Sequence, residues 1–174
     1  MDWGLMRESL LGAWATSNQA TIFLIESLTP ALWAAAVPGA PRRTVRMIAG
    51  HIHNARCMWI KTLGRPNGIA VPAGVDRRRA SRAQVIAALK RSDRAMARLL
   101  DLACERNGRI PPTKAYVWRN LALDVGHVLT YFVAHEAHHR GQIVMLARQT
   151  GHRLPPSIHA GLWRWKPRSM PHDA

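Results

Sequence analysis

Cysteine is nearly absent: Cys57 and Cys104 are the two in 174 residues. They fall in segments that read as different helices, and no CxxC pair is present. A disulfide framework is thereby excluded, and free thiols in a reducing compartment are the plain reading. Long apolar runs are missing too; no stretch of about 18 or more apolar residues escapes a charge, so no segment is expected to span a membrane. The N-terminus carries Asp2 and Glu8 within its apolar stretch and lacks both a basic start and a small-residue cleavage site. It does not read as an export signal, and a cytoplasmic protein is expected. No convincing alternating strand, internal repeat or low-complexity segment is found.

Acidic side chains are also scarce. Ten Asp and Glu stand against 25 Lys and Arg, giving a formal net charge of +15. The excess is carried by Arg42-Arg43, Arg77-Arg78-Arg79 and the stretch from Arg91 to Arg98. Such a field favours anionic partners, whether nucleic acid, an acidic lipid surface or a small carboxylate or phosphate; the competing reading is a solvated Arg-rich surface with no partner. With 48% hydrophobic and 20% charged residues, the composition suits a folded globule. The length suits one domain over residues 1–174, with 166–174 as a frayed tail.

What is present is helical periodicity. Residues 3–27 set Leu5, Leu10, Ala13, Trp14, Ser17, Thr21, Leu24 and Leu28 at spacings of three and four, which predicts an amphipathic helix. A turn-rich stretch from Thr29-Pro30 to Pro41 follows, with one helical turn around Leu32-Trp33. A second helix is expected from Arg43 to Leu63, with Val45, Ile48, Ile52, Ala55 and Trp59 on one face and Gly64 at its end. Residues 65–80, rich in Pro and Gly, read as a crossover loop. Ser81 then caps a third helix reaching Arg106, and a fourth spans Leu121 to Thr150 and stops at Gly151. Four long helices joined by punctuated loops predict an all-α four-helix bundle, with the apolar tail packed back on it.

Five of the nine histidines, His127, His135, His138, His139 and His152, lie in or just after the fourth helix. At about 100° per residue, His135 and His139 differ by only about 40° and stand one turn apart, a chelating arrangement. Val128, Phe132, Ile143 and Leu146 share that face, so both imidazoles point inward. His51 lies on the inward stripe of the second helix, whereas His53 falls about 200° away and is expected outside. His51 is therefore the third ligand of choice, and Cys57, about 240° from it, is not a ligand. Three neutral imidazoles suit zinc or nickel, with iron or copper as further candidates, and leave positions open for water or substrate. Tyr131, Gln142 and His138 are candidates to orient ligands from behind.

The run His135-Glu136-Ala137-His138-His139-Arg140-Gly141-Gln142-Ile143, followed by Leu146, Gly151-His152, Leu154-Pro155 and Gly161-Leu162-Trp163, resembles the last helix and tail of DinB/YfiT-like proteins. Ile48 to Leu63, with His51, Ala55 and Trp59, is similar to that family's second helix. The resemblance implies an up-down-down-up bundle, a metal on His51, His135 and His139, and a homodimer. Some members of that family are thiol-dependent transferases or isomerases in which the metal activates a small thiol such as mycothiol, bacillithiol or glutathione; a metal-dependent enzyme of hydrolase or thiol-transferase type is the expectation for this chain. Relatives often carry an acidic residue shortly after the first histidine, where this chain has Asn54-Ala55-Arg56.

Three other readings stand beside this one. His135-Glu136-Ala137-His138-His139 satisfies H-E-x-x-H, the zinc peptidase motif, in which Glu136 would be general base and His159 the third ligand. The basic surface fits a nucleic-acid-binding module, although most tryptophans fall on predicted apolar faces or in packing tails. The third is metal binding without catalysis. On the outer side of the fourth helix, Ala137 and Gly141, with Val133 and Val144 nearby, form a strip where another helix or a second subunit can approach closely.

Overall fold

The long helices after the first each begin at a side chain that caps them. The computed structural model describes residues 3–169. Helix α1 spans Trp3–Glu26 and α2 is one short segment, Pro30–Ala34, capped by Thr29. Thr44 caps α3, Val45–Trp59, by accepting from the Met47 amide. Ser81 and Gln84 form a reciprocal capping box at the start of α4, Arg82–Glu105. Asp124 caps α5, Val125–Gln149, and α6 covers Pro156–Leu162. Among the described residues, no helix is long and apolar enough to cross a membrane.

Three boundaries differ from the sequence expectation. The turn-rich stretch contains a small antiparallel hairpin, β1 (Ala36–Val37) and β2 (Ala40–Thr44), closed at Gly39 with φ of 74°. Its strands are too short to display alternation, so periodicity could not reveal them. Regular α-helical geometry in α3 stops at Trp59, and the chain continues through a π turn, Ile60–Gly64, and a 3-10 turn, Arg65–Asn67. α5 starts at Val125 instead of Leu121 because the preceding residues are held extended: the Leu121 amide donates to the Tyr116 hydroxyl at 2.6 Å, and the Ile110 amide to the Leu123 carbonyl at 2.8 Å.

Two apolar clusters fix the directions of the four long helices. One joins Trp14 and its neighbours Leu10 and Leu11 in the first half of α1 to Leu63 beyond the end of α3, Leu99–Leu100 late in α4 and Val128 early in α5. The other joins Leu24 and Leu28 at the end of α1 to Val45 at the start of α3, Val85 at the start of α4 and Ile143 late in α5. Helices α3 and α4 therefore run together, opposite to α1 and α5, which makes the bundle up-down-down-up. Leu5 and Ala13, assigned to the inner face of α1 on spacing, are exposed.

Between the clusters lies a polar layer. Arg56 and Glu136 are 1% and 0% exposed, and Arg56 Nε donates to Glu136 Oε1 at 2.7 Å. Arg56 Nη1 reaches Asn18 Oδ1 at 3.0 Å and the Leu89 carbonyl at 3.2 Å, while the guanidinium carbon stands 4.7 Å over the Trp14 ring. The Thr21 hydroxyl donates to Glu136 Oε2 at 2.8 Å and accepts from Arg140 Nη1 at 2.8 Å. Two buried charges persist here because nearly every lone pair and N–H has a partner.

The tail packs back as expected. A Cβ on Gly161 would fall 2.4 Å from the Phe23 ring, so α6 lies on α1 at a distance that only glycine permits. The expected fraying from residue 166 does not hold for the first residues of that segment, since Lys166–Arg168 form a 3-10 turn and the Ser169 carbonyl packs against Gly12. Residues 170–174 lie outside the described residues.

Candidate metal centre

α3 and α5 cross antiparallel, and their facing sides carry the histidines. Two turns after the Thr44 cap, His51 meets His135 and His139 of α5. Ring centroids are 4.5 Å apart for His135 and His139, 4.7 Å for His51 and His139, and 5.3 Å for His51 and His135. One nitrogen from each ring lies within 4.8 Å of the other two. Among the described residues, these three make the one cluster of His, Cys, Asp or Glu near enough to hold a metal ion together. The Nε2 atoms of His135 and His139 are 3.1 Å apart; two imidazole nitrogens on one tetrahedral zinc stand about 3.3 Å apart.

Surrounding groups prepare the donors. His139 Nδ1 lies 2.9 Å from Gln142 Oε1, an acceptor, so Nδ1 carries the proton and Nε2 presents a lone pair. Gln142 Nε2 in turn stands 2.9 Å from His138 Nε2, and His138 itself is exposed. Tyr131 stacks on His135 with an interplanar angle of 15°. The three proposed orienting residues thus sit beside the triad, with Gln142 the one hydrogen-bonded to a triad histidine.

The surroundings of all three histidines favour the neutral imidazole. Burial pushes His135 down to about 4, assisted by repulsion from His139 and His51. Burial likewise lowers His51, with further lowering from His139, Arg77 and Arg43. His139 is lowered by burial against the opposing effect of its bond to Gln142. Neutral imidazole is the form that coordinates a metal.

The remaining sequence candidates are elsewhere. Glu136 is fully buried and committed to Arg56 and Thr21, so it does not stand as a free base beside the triad. His159 lies on α6 and lines a separate cavity of about 400 Å³ with Val133 and Trp163. The peptidase arrangement of H-E-x-x-H is therefore not formed. His53, expected outside, is 0% exposed. Its Nε2 faces the Ala73 carbonyl at 2.9 Å and its Nδ1 the Ser92 hydroxyl at 3.0 Å. The outward face assigned to it is covered by the 65–80 loop. Cys57 Sγ lies 3.3 Å from His53 Nε2 and belongs to this buried group.

Four arginines from segments far apart in sequence stand near the triad. A cavity of about 620 Å³ is lined by His51 and His139 together with Arg42 and Arg43 from β2 and Arg77 and Arg78 from the 65–80 loop. The one local signal was Gly50, directly before His51. A Cβ there would stand 3.1 Å from Arg77 Cγ, so its absence lets the loop lie against α3.

Comparison with curated proteins and with solved structures found no match. The DinB family model matches residues 5–167. With the helix order and the histidine cluster of that stretch already established, the chain belongs to the DinB family.

Proposed function

We propose that this DinB-family chain binds one divalent metal ion, zinc or nickel in preference to iron or copper, through His51, His135 and His139, and is a metal-dependent enzyme of hydrolase or thiol-transferase type. The observation that carries the reading is the convergence of three imidazoles within 4.8 Å of one another, two of which, His51 and His139, line an accessible cavity. A metal ion held there would act as a Lewis acid and lower the pKa of a coordinated water or thiol toward neutrality. Gln142 would fix the tautomer of His139, and Tyr131 would hold the His135 ring against rotation. Among the described residues no fourth histidine, cysteine or carboxylate joins the cluster, a ligand set that fits an open reactive site better than a closed structural one.

Metal analysis by mass spectrometry on untagged protein tests this. About one metal per chain is expected, retained in His159→Ala and lost in His51→Ala and His139→Ala. No metal in the wild type, even after reconstitution with zinc or nickel, would remove the reading.

A second subunit is proposed to dock on the outer face of α5. Ala137 and Gly141 are exposed there, and nothing lies within 4 Å of a Cβ built on Gly141. A specific observation also supports nucleic-acid binding as the second functional reading. Trp163 and Trp165 are 75% and 52% exposed, their rings stack with centroids 6.0 Å apart, and Arg164 and Lys166 alternate with them. This departs from the expectation that tail tryptophans pack inward. Loss of oligonucleotide binding in Trp163→Ala, with metal content intact, would favour it.

A further inference from the structure

The 65–80 loop is fastened to α3 at the level of its backbone. Asn54 Nδ2 donates to the Val75 carbonyl at 3.0 Å, and the Val75 amide donates back to Asn54 Oδ1 at 2.9 Å. His53 holds the Ala73 carbonyl, and Arg46 Nη1 donates to the Arg78 carbonyl at 2.9 Å. Asp76 closes the last turn by accepting from the Arg78 amide at 2.8 Å, while its own carbonyl accepts from the Ala80 amide at 2.9 Å. Arg77 and Arg78 are thus delivered to the cavity on a positioned backbone, and Arg42 and Arg43 reach it from β2.

None of these four arginines is ion-paired with a carboxylate among the described residues, and no Asp or Glu lines the cavity. Asp76, the nearest acid in sequence, turns to the Arg78 amide and to Arg79 Nε at 3.9 Å. Uncompensated guanidinium groups gathered around one cavity repel each other, and an oxyanion between them removes that cost while accepting forked hydrogen bonds. The cavity also has an apolar portion, including Met47 and Ile48. Its volume of about 620 Å³ lies within the range of about 300–1,000 Å³ usual for small-molecule sites.

We infer that Arg42, Arg43, Arg77 and Arg78 form an oxyanion-binding wall beside the histidine triad, and that the ligand of this cavity is a small molecule combining a phosphate or carboxylate head with an apolar body. The inference deepens the metal reading by naming the class of molecule its cavity takes, but the wall is built from residues that are not metal ligands and is tested separately.

The test is calorimetric titration of inorganic phosphate, and in parallel of succinate, into the protein as purified at fixed ionic strength, with metal content measured on every sample. One phosphate per chain, with affinity reduced at least tenfold in R43A/R77A and unchanged in R94A, an exposed arginine on α4, is the expected result; tighter binding of phosphate than of succinate marks a phosphate head and the reverse a carboxylate. Asn54→Ala, which frees the loop, lowers phosphate affinity without reducing metal content. Arg-dependent phosphate binding in His135→Ala, or in protein that holds no metal, sustains the wall even if the metal reading fails. Equal affinity in wild type and R43A/R77A overturns it, and so does an equal loss in R94A, which would reduce the effect to net charge. Binding of a single-stranded oligonucleotide through the same arginines, with no phosphate binding, overturns it in favour of a polymer surface.

Discussion

Arg56 and Glu136, on α3 and α5, form a fully buried ion pair with Nε and Oε1 2.7 Å apart. Glu136 follows directly on His135, yet its carboxylate is directed into the bundle. Removing one partner leaves the other charged and dry, which costs about 3–5 kcal/mol, whereas replacing both by apolar groups of similar volume is far less damaging. Glu136→Ala is therefore expected to lose that much in a denaturant titration and Arg56→Met/Glu136→Met much less. A Glu136→Ala variant of unchanged stability would contradict the role given to this pair.

Gln142 gives a prediction about affinity instead. Its amide oxygen is 2.9 Å from His139 Nδ1. Partners behind a metal ligand typically contribute about 10–100-fold in affinity. In competition with a chromophoric chelator, Gln142→Leu should weaken zinc binding by that factor, and Gln142→Glu, which keeps the acceptor, should not weaken it. Equal affinity in Gln142→Leu would remove the assigned role.

The histidines also set a pH dependence. Their folded-state pKa values are depressed, His135 to about 4, below the ordinary value of about 6.5. As pH falls, the unfolded chain takes up protons first, so metal-free protein should lose stability from about pH 6.5 down to about 4. The slope should shrink in His135→Asn. The same depression moves acid release of metal below the pH expected from unperturbed imidazoles. Thermal melts at closely spaced pH values check the first claim, and a dialysis series checks the second.

The α5 surface yields a hydrodynamic prediction. Gly141→Arg places a long charged side chain in the open space above that helix and should convert a dimer to monomer in sedimentation velocity, with helix content unchanged. A wild-type protein that is monomeric at micromolar concentration would end the proposal.

The long helices were legible because their signals are local: the Ser81–Gln84 capping box and the three-and-four spacing of apolar residues need no knowledge of neighbours. The same holds for His135 and His139, one turn apart on one helix. What periodicity misjudged was α3, treated as having one wet face. The bundle covers one side of it and the 65–80 loop another, so His53 and Arg56 are both buried. Asn54, a departure from the family pattern on sequence, is a clamp for that loop, which cannot be seen without knowing where Val75 lies. The arginines beside the triad were visible as charge but not as a place, because strand β2 and the loop bring them together only in three dimensions.

His51 and Asn54 are one turn apart on the same rigid rod. A tilt of α3 carries the histidine and the anchored loop as one body, so the spacing from His51 to Arg77 is preserved while the spacing from His51 to the α5 histidines changes. Breathing of the bundle would thus open and close the triad without altering the distance over which a ligand stretches from His51 to the loop arginines.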